Sequence, residues 1–132
     1  MLISGGINDI DIDDLRKNTV YNHYEPETNP EHRLYLDSFW GHLKSLSTEQ
    51  KEKLLVFCTG TNRPPLLGFR YMTPHFCVSK MAVEGAEIRY PTSSTCAHMM
   101  HIPYYGTSDE GLKKMRDTCN YAINSAQGFY NT

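Results

Sequence analysis

At 132 residues, 39% of them hydrophobic and with a formal net charge of -2, the chain has the size and composition of one folded domain. Its 13 Lys and Arg residues are outnumbered by 15 Asp and Glu and do not cluster, which excludes the basic face of a nucleic-acid binder. No apolar run approaches the ~20 residues that span a bilayer, and no basic-then-apolar leader opens the chain, so no membrane partner and a cytosolic or nuclear setting are expected.

"MLISGG" reads as the tail of a preceding element followed by a glycine joint, Gly5-Gly6, so the sequence is expected to be part of a longer chain. "DIDDLRKN" (11–18) places acids in a first turn and bases in a last turn, as the helix dipole favours. "TVYNHYEPETNP" reads as loop. Asn29-Pro30-Glu31 then supplies a cap, a proline at the first helical position and an acid in the first turn. Leu36, Phe39, Trp40 and Leu43 continue that helix with one apolar face. Ser47 and Gln50 form a capping box for a second helix reaching about residue 57, stopped at Thr59-Gly60. Two prolines make 61–69 irregular.

The pattern then shortens. "HFCVSK" (75–80) and "CAHMMHI" (96–102) suit strands, separated by a polar, glycine-containing stretch around 84–87. Thr107 and Glu110 form a further capping box. The last helix carries Leu112, Met115, Cys119, Ala122, Ile123 and Ala126 on one side and is expected to end at Gly128. Helices, a small sheet packed with helices, and a closing helix give an α/β (α+β) domain.

Four cysteines, 58, 77, 96 and 119, are spread without a CxxC pair, which argues against a zinc ribbon or a redox dithiol. Cys58, Cys77 and Cys119 sit in apolar surroundings and read as core. Cys96 differs, because "PTSST" precedes it as a polar loop while Met100 and Ile102 anchor the next strand in the core. His98 and His101 make a zinc site conceivable, but on an extended strand they face opposite sides and a fourth ligand is wanting, so no metal is expected. A papain-like hydrolase needs a distant His, and no local signature marks one. The residues alone leave open an exposed, reactive thiol and a buried loop cysteine.

"DIDDLRKNTVY", "FWGHLKSLSTEQKEKLLVFCTG", "TGTNRPPLLGF", "PTSSTC", "IPYY" and "AQGF" occur in the order and spacing of one family. Together they resemble the catalytic C-terminal lobe of HECT-type ubiquitin ligases, and are most similar to the proteasome-linked Hul5-like branch. The resemblance implies that residues 7–132 are that lobe and 1–6 the remnant of the inter-lobe hinge, with Gly5 and Gly6 in it. It implies that Cys96 accepts ubiquitin from a conjugating enzyme as a glycyl thioester and passes it to a substrate lysine. Thr95 would hydrogen-bond the loop or the thioester carbonyl, Arg63 would brace the catalytic loop, and Phe129 would dock the lobe on its own N-terminal lobe. Ser94 stands where many family members carry His, and Asn131-Thr132 close the chain without a carboxylate side chain.

The implied partners are ubiquitin, a conjugating enzyme, protein substrates, the N-terminal lobe and the proteasome, with no cofactor. The strand after Cys96 would offer an edge for ubiquitin's extended tail. Without the N-terminal lobe the full cycle is expected to run poorly. The competing class is a non-catalytic module that docks ubiquitin or a partner with an inert thiol.

Overall fold

A computed structural model of the chain describes residues 9–85 and 87–130, with side chains as far as residue 125. The expected hinge, Gly5 and Gly6, and the side chain of Phe129 lie outside this set. Helix α1 (Ile12–Lys17) starts where the Asp11 carboxylate accepts the Asp14 N–H at 3.0 Å. Helix α2 (Pro30–Lys44) starts on Asn29, whose side chain accepts from Glu31 and His32. Helix α3 (Thr48–Thr59) has both bonds of the capping box, Gln50 N–H to Ser47 Oγ at 3.1 Å and Ser47 N–H to Gln50 Oε1 at 3.2 Å. Gly60, at φ 84°, takes the left-handed conformation that closes it.

Four strands take the order β1-β2-β4-β3, where β1 is Val20–Asn22, β2 Cys77–Met81, β3 Thr92–Ser94 and β4 Met99–Pro103. The pairs β1–β2 and β2–β4 are parallel, and β3 runs antiparallel to β4. Helix α4 (Asp109–Tyr130) closes the fold. Leu36, Phe39, Trp40 and Leu43 are buried as their spacing requires, and so are Met115, Cys119, Ala122 and Ile123 of α4. No described helix is long and apolar enough to cross a membrane.

Four expectations need correction. The segment read as loop contains β1, an outer strand only three residues long, too short for a visible alternation. The strand placed at 96–102 begins at Met99, because Thr95–Ala97 form a 3-10 turn. The cap of α4 is Ser108, whose Oγ accepts the Gly111 N–H at 3.0 Å, so the Thr107–Glu110 box is one residue out of phase. The helix also runs through Gly128 to Tyr130.

Gly111 is required by close approach. A Cβ there would lie 2.5 Å from the Tyr105 carbonyl oxygen and 2.7 Å from that of Gly106. Alanine is the better helix former by about 1 kcal/mol, yet Gly111→Ala must displace backbone. We expect it to destabilise the fold by about 1–3 kcal/mol, read as a lower urea midpoint at unchanged m.

His32 is buried in a tyrosine cluster and accepts the Glu25 N–H at Nδ1, 3.0 Å away. Tyr24 and Tyr104 meet its ring edge-on, with centroids at 5.3 and 5.2 Å. Burial, and then the charge of Lys80, hold its pKa below the ordinary 6.5. The unfolded chain therefore binds the extra proton first as pH falls. The stabilisation is full above the ordinary value and declines below it, levelling once the folded imidazole also titrates. Thermal midpoints from about pH 7.5 to about pH 5.5 should fall more for the wild type than for His32→Gln.

Candidate active site

The site is the β3–β4 hairpin. Ser94 pairs with Met99, and residues 95–98 turn the chain between them. His98 lies in the left-handed region at φ 51°, which histidine visits more readily than most residues. Its N–H donates to the Thr95 carbonyl at 3.2 Å, and its carbonyl accepts the Cys77 N–H at 2.9 Å. Its Nδ1 lies 2.7 Å from the Pro74 carbonyl oxygen. Met100 and Ile102 sink into the core beneath, and α3 packs against the turn. On this support Cys96 is an exposed, free thiol.

The other three thiols are inert by environment. Cys58 and Cys119 are fully buried, and burial raises both pKa values, that of Cys119 to about 12. Cys77 is buried on β2 and its pKa is raised for the same reason.

The hairpin differs in places from the sequence expectation. "PTSST" is not a loop, since Thr92–Ser94 form β3; its polarity reflects an outer strand with Thr92 and Ser94 exposed to water. The two histidines make contacts of their own. His98 pins the turn, and His101 Nε2 lies 3.3 Å from Ser94 Oγ. Moreover β4 is an inner strand, so the edge expected beside Cys96 belongs to β3. Among the described residues no three His, Cys, Asp or Glu side chains converge as a metal site requires.

The whole chain, residues 1–132, matches the family described as HECT-domain (ubiquitin-transferase). The chain belongs to the HECT family. It is 39% identical, over 98% of its length, to E3 ubiquitin-protein ligase UPL6 of Arabidopsis thaliana, of which it covers 12%. It is 35% identical, again over 98% of its length, to E3 ubiquitin-protein ligase HUL5 of Saccharomyces cerevisiae, of which it covers 13%. This HECT chain thus spans only a small part of the length of these relatives.

Two further candidate residues of the HECT chain fall among the described side chains, Thr95 and Arg63. Thr95 opens the 3-10 turn and its carbonyl is committed to His98. Arg63 is exposed in the proline loop, where its backbone N–H donates to Thr61 Oγ1 at 3.3 Å. The same loop presents Leu66 and Leu67, 98% and 74% exposed, a pair that no periodicity marks in the sequence. Phe69 tucks the end of the loop into the core, and its N–H donates to Asp14 Oδ2 at 2.8 Å.

Proposed function

We propose that residues 7–132 are the catalytic lobe of a ubiquitin ligase in which Cys96 carries ubiquitin as a thioester. One observation carries the assignment of Cys96: of the four thiols it alone is exposed, and it sits on a turn held by main-chain bonds. Its Sγ attacks the carbonyl carbon of the thioester that joins ubiquitin's C-terminal glycine to a conjugating enzyme. A C–S bond to Cys96 forms, the bond to the enzyme's sulfur breaks, and that sulfur leaves with the proton given up by Cys96. One thioester replaces another, so the step is nearly isoenergetic, and positioning supplies much of the rate. A substrate lysine then takes ubiquitin as an amide.

The free edge of β3, next to the nucleophile, supports pairing with ubiquitin's extended tail. In this reading Thr95, at the start of the turn, hydrogen-bonds the loop or the thioester carbonyl. Gly5 and Gly6 serve as the hinge to the N-terminal lobe, on which Phe129 docks, and Arg63 braces the catalytic loop. The protein acts in the cytosol or nucleus, and association with the proteasome is inferred from the resemblance to the Hul5-like branch.

The test is a gel assay with a charged conjugating enzyme. A ubiquitin adduct on the chain that reducing agent removes is expected for the wild type and lost in Cys96→Ala. An adduct that survives Cys96→Ala would sink the assignment. A ubiquitin bearing a C-terminal electrophile separates the carrier from an inert docking module, which would bind it without a covalent bond.

A further inference from the structure

We infer that Ser94 and His101 together receive the proton that a substrate lysine gives up as it attacks the Cys96 thioester; the inference rests on the reading of Cys96 as ubiquitin carrier. Residues 91–105 contain no Asp, Glu, Lys or Arg, so the catalytic hairpin holds no carboxylate to accept a proton. Its bases are two imidazoles. That of His98 is turned to the Pro74 carbonyl, 2.7 Å from Nδ1, and serves the shape of the turn. That of His101 is turned to the outer strand. Register places His101 opposite Thr92, and Nε2 reaches Ser94 Oγ at 3.3 Å. Ser94 is exposed, two residues before the nucleophile, whereas Met100 and Ile102 point into the core. The pair therefore lies on the accessible side of the hairpin, at the strand end that leads into the thiol.

A neutral lysine nitrogen bonds to the thioester carbonyl carbon, and its N–H becomes strongly acidic as the bond forms. Ser94 Oγ takes that proton while passing its own to His101 Nε2. The C–S bond breaks, Cys96 leaves as thiolate, and the imidazolium returns the proton to it. An amide and a thiol result, with the serine and histidine restored.

The 132-residue chain is loaded on Cys96 by exchange from a small-molecule ubiquitin thioester, then discharged separately with free lysine and with hydroxylamine. Hydroxylamine is a weakly basic, strong nucleophile that does not need this assistance, so it reports the integrity of the site. His101→Gln and Ser94→Ala are each expected to lower the ratio of lysine to hydroxylamine discharge by about 100-fold, the lower end of general-base effects. An unchanged ratio in both variants overturns the proposal, and so does an equal loss with both nucleophiles, which marks a structural role. A fall in the ratio for His98→Gln but not His101→Gln overturns it in favour of the other imidazole. Failure of the wild type to load overturns the carrier reading itself, so the two failures are told apart.

Discussion

Under native conditions a small alkylating reagent is expected to consume Cys96 within minutes and leave Cys58, Cys77 and Cys119 largely unmodified for hours. Two effects multiply. The reagent cannot reach the buried sulfurs without local opening. In addition, burial raises the pKa of all three thiols, so each holds little of the thiolate that reacts. The rate difference should exceed about 10³-fold and collapse in denaturant, where all four thiols react. Mass spectrometry of quenched samples reads this directly. Early modification at Cys77 would show that the β2 end beneath the turn opens on its own.

The second large effect is at Tyr35, which is fully buried. Its hydroxyl donates to the Pro103 carbonyl at 2.6 Å and accepts the Tyr105 N–H at 3.1 Å. Its ring meets that of Tyr104 with centroids 4.7 Å apart. Tyr35→Phe leaves two backbone groups at the end of β4 without their partner, at a cost of about 1–3 kcal/mol. Tyr35→Ala adds a cavity and should cost about 3–5 kcal/mol, a large share of the roughly 5–15 kcal/mol that holds a typical domain. Urea midpoints check both. A phenylalanine variant as stable as the wild type would mean that water replaces the hydroxyl at both groups.

Local chemistry is legible in the sequence. The caps at Asn29 and Ser47 depend on residues three or fewer positions away, and the structure has both. The apolar stripe of α2 is visible too, but Tyr35 and His32 widen that face beyond the four positions of its simple repeat. Features that depend on partners far along the chain are not legible. Strand β1 is paired with residues 77–79, and nothing within its three residues announces that. Strand β3 is hidden because an outer strand facing water has the composition of a loop. An alternation counted from Cys96 assigns His101 no role. The 3-10 turn breaks that count, and only the β3–β4 register reveals that the ring meets Ser94. The thiol is the reverse case: its polar approach and apolar sequel mark Cys96, while the groups that hold it out lie elsewhere.

How the thiol is held also governs how its reactivity changes. The turn carrying Cys96 is tied to the Pro74 carbonyl and the Cys77 N–H, groups that come some twenty residues earlier in the chain. Freeing the stretch 74–77 from its place would leave the helices in place while removing the support under Cys96. Thiol reactivity then reports a sub-global opening rather than complete unfolding. Mild heat or low denaturant should change the reactivity of Cys96 well before the far-ultraviolet signal changes.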